Sequence, residues 1–288
     1  MLWLQVLANG LALGGLYACV AAGFSLVWGV LNIINILHGS LVVLGAYLAF
    51  FAHATLGISP FLFAPIAGAL LFVLGFAIQK VAVNPVMGRP VLMSLLLTFG
   101  LNLFLDNLMI EGFSADYRKV ILNPPLGILD LGSVIVPLDR IYATACGLII
   151  VAALWALLRG TQLGRAIVAV RMDRDAAELM GIDVKSTYAL AFGLGAFMAG
   201  AAGALLSAIF PISPLASSLY LGKAFVICVL GGLGSVPGVI IGGFSLGLLE
   251  SFGALVFGSE HALTVAFLAL IALLIVRPQG LLGRRGFQ

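Results

Sequence analysis

The stretch Leu4–Val30, LQVLANGLALGGLYACVAAGFSLVWGV, decides the class of this protein. It contains no Asp, Glu, Lys or Arg, and neither does anything else between Met1 and Gln79. A surface in contact with water cannot be made from such a segment, whereas a helix crossing a lipid core needs about 20 apolar residues. The rest of the chain agrees. Of its 288 residues 62% are hydrophobic and 9% charged, and mean hydropathy is +1.22. Soluble domains carry roughly 45–50% apolar and about 25% charged residues.

Further apolar runs follow at Ile36–Leu56, Pro60–Gln79, Val91–Glu111, Tyr142–Leu158, Tyr188–Phe210, Leu219–Leu230, Pro237–Phe257 and Ala262–Val276. Taken as crossings, these runs predict an all-α integral membrane protein, a polytopic bundle of about 8–9 spans forming one domain over residues 1–288. Whether 219–238 crosses or re-enters is open at this stage. Small residues recur every fourth position at Gly10, Gly14, Ala18 and Ala22, and again at Gly195, Ala199 and Gly203. Such stripes let helices approach closely in lipid.

Basic residues gather at Lys80 and Arg89, from Arg159 to Lys185, and at Arg277, Arg284 and Arg285. The positive-inside rule makes these segments cytoplasmic, with the C-terminus inside and the N-terminus outside. Residues 112–141, rich in proline and glycine with short alternating runs, then form an external loop read as a small hairpin. Positive charge without an interleaved aromatic stripe gives no case for nucleic acid. Cys19, Cys146 and Cys228 lie singly in apolar runs with no metal-ligand spacing, so neither a metal nor another cofactor is expected. Met1–Gln5 lacks a basic region, so the first run is expected to be retained as a span.

Segment 159–187 concentrates Arg159, Arg165, Arg171, Asp173, Arg174, Asp175, Glu178, Asp183 and Lys185. So many charges must lie in water. Asp173 suits an N-cap, Asp175 and Glu178 the first turns, and Gly181 a left-handed stop, which predicts a short helix over Arg174–Met180. Two apolar regions are broken by polar or flexible residues. One holds Asn32, Asn35, His38, Gly39 and Ser40; the other holds Gly231, Gly232, Gly234 and Ser235. Paired interruptions point to a transport path, with simple turns as the alternative at both places. Ser94, Thr98, Asn102 and Asp106 form a polar stripe read as interhelical hydrogen bonding. Lys223 sits inside an apolar run and needs an acidic partner, Glu250 first and Asp106 second.

The run Asp175-Ala176-Ala177-Glu178-Leu179-Met180-Gly181 resembles the coupling loop of ABC-importer permeases, with Asp for the usual leading Glu. With Gly29–Ser40, Gly45-Ala46-Tyr47, Gly164-Arg165-Ala166, Gly222–Phe225, Gly231–Gly238 and Arg277–Leu281, it resembles the branched-chain amino-acid permeases of the H type. That resemblance implies ATPase contact by Arg165, Asp173, Arg174, Asp175, Ala176, Ala177, Glu178 and Gly181. It also implies a companion permease subunit, two ATP-binding-cassette ATPase subunits, an extracytoplasmic solute-binding protein and a small amino-acid substrate at the inner membrane. No phosphate-binding P-loop is present, so ATP hydrolysis is expected of partners and the chain is not read as an enzyme. Urea or short amides as solutes, an ion-coupled secondary transporter and a membrane enzyme are the alternatives.

Overall fold

The computed structural model describes residues 2–122, 125–130, 132, 134–277 and 280–282. Arg284–Gln288, and Pro278 and Gln279 of the C-terminal motif, lie outside them. Among the described residues, nine segments are long and apolar enough to cross a membrane. They belong to α1 (Leu2–Leu31), α2 (His38–Leu56), α3 (Pro60–Ile78), α4 (Val91–Phe113), α5 (Leu138–Gly160), α8 (Val184–Ile209), α9 (Ser217–Gly231), α10 (Val236–Phe257) and α11 (Ala262–Val276). Two short helices, α6 (Gln162–Met172) and α7 (Arg174–Leu179), stand between the fifth span and the sixth. The protein is a multi-pass helical membrane protein.

Helices α1 and α8 form the buried centre. α3, α4, α5 and α11 surround them and turn residues such as Leu62, Leu70, Phe104, Ile149 and Ile275 outward, as lipid contact requires. The small-residue stripes are lines of backbone contact. Gly10 and Gly14 of α1 meet α10 at Gly247, Leu248 and Phe244, Gly23 meets Gly195 on α8, and Gly45 of α2 meets Gly200. A side chain at Gly203 would collide with the Val42 carbonyl, so that crossing depends on glycine. Without a hydrophobic drive between helices in lipid, such close approach supplies much of the cohesion.

The apolar run at Leu219–Leu230 is longer in the structure than it looks in the sequence. Pro214–Ala216 forms a 3-10 turn capped by the Ser213 hydroxyl, which accepts from the Leu215 amide at 3.4 Å, and extends the span to Pro214–Gly231. In the loop after α4, β1 (Ile128–Asp130) and β2 (Ile135–Pro137) pair antiparallel, Leu129 opposite Val136. The Gln5 side chain adds to this hairpin as a strand would. Its amide donates to the Ile135 carbonyl at 2.7 Å and its oxygen accepts from the Ile135 amide at 2.8 Å. The same end of the bundle is tied by a backbone bridge between Arg118 and Ile212. At the opposite end lie α6, α7 and the turn between α9 and α10.

Candidate functional site

The link Asn32–Leu37 is an excursion within the bundle. His38 Nε2 lies 2.8 Å from the Val20 carbonyl of α1, eleven residues before that helix ends, and the ring meets Phe24 edge-on at 5.6 Å. At 1.5 Å per residue the chain therefore runs back about 16 Å alongside α1 before α2 begins. Asn32 turns it with φ 52, a conformation Asn tolerates better than most side chains. Thr98 of α4 satisfies the irregular backbone: its hydroxyl lies 3.0 Å from the Ile34 carbonyl and 3.4 Å from the Ile36 amide. Irregular backbone inside a membrane bundle needs partners of this kind. Asn35 and His38 are buried, and Asn35 Oδ1 and His38 Nδ1 have no hydrogen-bond partner. Gly39 lets this junction press against the Ser217 carbonyl at the start of α9.

The second interrupted segment has a different form. Gly231 ends α9, Gly232 and Gly234 turn with φ 101 and 74, and the Ser235 hydroxyl caps α10 by accepting from the Gly238 amide at 3.2 Å. It is a turn between two spans, the simpler of the two sequence readings. It packs on the last turns of α1, with Gly234 against Gly29. The Gly234 amide donates to Ser25 Oγ at 3.1 Å, and Arg171 of α6 donates to the Gly234 carbonyl at 2.7 Å. Burial lowers the pKa of the Arg171 guanidinium. The carbonyl contact offsets part of that desolvation. Arg171 thus ties the segment containing α6 and α7 to the transmembrane turn.

That segment is two helices where the sequence suggests one. Thr161 caps α6, which buries Ile167 and Val170, exposes Arg165 and half-buries Arg171. Asp173 caps α7, accepting from the Ala176 amide at 2.9 Å. Gly181, with φ 83, stops it, and the Ile182 amide returns to the Ala177 carbonyl at 3.0 Å. Ala177 is buried, while Arg174, Asp175, Ala176 and Glu178 are exposed. Leu179 and Met180 are 88% and 83% exposed at the tip, a large apolar commitment for a solvated turn. Beyond it, Ser186 donates to Asp183 and holds that carboxyl below the usual range.

Lys223 of α9 and Glu250 of α10 form an ion pair, with Nζ 2.9 Å from Oε1. Tyr17 of α1, which sequence reasoning missed, completes the cluster. Its hydroxyl donates to Glu250 Oε2 at 2.6 Å and accepts from Lys223 at 2.8 Å. Asp106 lies elsewhere, among Ser40, Asn102 and Ser217. Gly243-Phe244-Ser245-Leu246-Gly247 matches the spacing of a hydrolase nucleophile elbow, but it is continuous α-helix within α10. An elbow requires a strained strand-to-helix turn. The described residues contain no cluster of His, Cys, Asp and Glu able to hold a metal ion.

A lipid-embedded bundle with an internal chain reversal, polar groups between its helices and an exposed, capped helix between spans is an architecture suited to a solute permease. Residues 6–276 match the family described as branched-chain amino acid transport system / permease component. The chain is 34% identical to the high-affinity branched-chain amino acid transport system permease protein BraD of Pseudomonas aeruginosa, over 98% of this chain and 96% of that protein. It is 33% identical to the permease protein LivH of Escherichia coli, over the same shares. Its fold is similar to the solved structure of PsaBC from Streptococcus pneumoniae in complex with Fab, with TM-score 0.53 and 15% identity over 96% of this chain and 93% of that one. The chain belongs to the branched-chain amino acid permease family.

Proposed function

We propose that this chain is the membrane subunit through which an ATP-driven importer brings leucine, isoleucine, valine or similar small hydrophobic amino acids into the cell. Likeness to BraD and LivH along almost the full length carries the reading. Energy comes from two separate ATPase subunits, which dock on α7 and its apolar tip. A companion permease completes the passage, and an external binding protein delivers the solute to the end bearing the hairpin. Asn32, Asn35, His38, Gly39 and Ser40 brace the path where α2 begins. Gly231, Gly232, Gly234 and Ser235 form its cytoplasmic hinge, linked through Arg171 to the ATPase-facing helices.

The test is uptake of labelled leucine into proteoliposomes containing the complete transporter. Uptake is expected to need ATP and to persist when ion gradients are collapsed. Uptake that ignores ATP and vanishes with the gradient would overturn the reading in favour of an ion-coupled transporter.

A further inference from the structure

Helix α4 is packed through an unusual seam. Its fully buried residues are Ser94, Thr98 and Met109, while its lipid-facing side is Leu and Phe. Further along the polar side, Asn102 and Asp106 are partly exposed and face two buried hydroxyls, Ser40 at the start of α2 and Ser217 at the start of α9. Three helices therefore converge on one carboxylate. Asp106 lies seven residues before the hairpin end of α4, about 10 Å along its axis.

The hydrogen-bond partners of this carboxylate are all neutral. Ser217 Oγ and Asn102 Nδ2 donate to Oδ2 at 2.7 and 3.0 Å. Oδ1 has only Ser40 Oγ, at 2.7 Å, and that hydroxyl also lies 2.6 Å from Asn102 Oδ1. A serine hydroxyl carries a single proton and can serve only one of two acceptors. The site is therefore short of a donor and, among the described residues, of a countercharge, since Lys223 is already paired with Glu250. An uncompensated carboxylate between spans is a costly feature that polar packing alone does not require.

We propose that Asp106, framed by Ser40, Asn102 and Ser217, is the point at which the solute's ammonium group docks during passage. An ammonium supplies both missing elements, positive charge and several N–H donors. The inference rests on the reading of the chain as an amino-acid permease and names the atom within it that distinguishes an amino acid from its des-amino analogue.

In the complete wild-type transporter, a membrane-permeant carbodiimide should label Asp106, as read by mass spectrometry. Excess leucine should slow that labelling, and 4-methylpentanoate, the same molecule without its ammonium, should not. Asp106→Asn keeps one acceptor oxygen for a serine hydroxyl, replaces the other with an amide N–H donor, and removes the charge. It should lower leucine transported per ATP hydrolysed by about tenfold or more, the scale of one charge-assisted hydrogen bond, and Asp106→Glu should retain part of the activity. Labelling indifferent to leucine, equal protection by 4-methylpentanoate, or protection by sodium alone would overturn the proposal, as would normal transport by Asp106→Asn. Should that variant fail to assemble, the wild-type labelling decides. Loss of ATP-dependent leucine uptake in the unaltered transporter would instead strike the permease reading beneath it.

Discussion

Lys223 carries most of the electrostatic risk in the bundle. Its ammonium is held by Glu250 and by the Tyr17 hydroxyl, and it also lies 4.5 Å from the centre of the Tyr17 ring. Removing one partner of a buried pair strands the other, at roughly 3–5 kcal/mol, whereas removing both does not. Lys223→Met should therefore lower the thermal stability of the purified protein, and adding Glu250→Gln should recover part of the loss. Simply additive losses would contradict a coupled pair. Tyr17→Phe keeps the ring and deletes one hydrogen bond to a charged group, so a smaller loss of about 1.5–3 kcal/mol is expected in the same unfolding assay. Sequence spacing offers two acidic candidates for Lys223 but gives no sign of Tyr17. A single tyrosine in an apolar helix reads as core, and its partners lie 206 and 233 residues away.

Elements with local chemistry were the legible ones. Asp173 and Gly181 mark the ends of α7 because a cap and a left-handed stop are local devices, and its helical turns end at Leu179, within a residue of expectation. The hairpin was readable from its turn residues. Hidden features depend on distant contacts: α6 is set by packing Ile167 and Val170 on neighbouring helices, and the reversal at Asn32–Leu37 is supported by Thr98 more than sixty positions away. Two predictions belong here. Asp173→Ala removes the α7 cap and should cost about 1 kcal/mol of local stability, seen as faster amide exchange over Arg174–Leu179. Gly181→Val forces a branched side chain into a left-handed turn. ATP hydrolysis should then proceed without matching leucine uptake while the protein remains inserted; normal coupling would remove α7 from the docking role.

Across the whole molecule, the number of spans was legible because lipid imposes length and apolarity on each one, and the order in which they pack was not. α1 lies against α10, and α3 against α8, through glycine contacts that no single run reveals. The orientation of the bundle in the membrane is the remaining consequence, and charge placement argues it. The two ends are chemically distinct: one bears the hairpin and the Arg118–Ile212 bridge, the other α6, α7 and the basic segment Arg159–Lys185. Arg118 does not break this asymmetry. It donates to the Phe113 carbonyl at 2.7 Å and lies 5.6 Å from the rings of both Phe50 and Phe51, where it fastens the loop over the ends of α2 and α4. The positive-inside rule therefore predicts that the basic end faces the cytoplasm. In a variant lacking Cys19, Cys146 and Cys228, an impermeant thiol reagent added to intact cells should label Lys119→Cys, beside that arginine, and should leave Glu178→Cys on α7 untouched until the membrane is opened. The reverse pattern would invert the bundle and place the apolar tip of α7 where no ATPase could reach it.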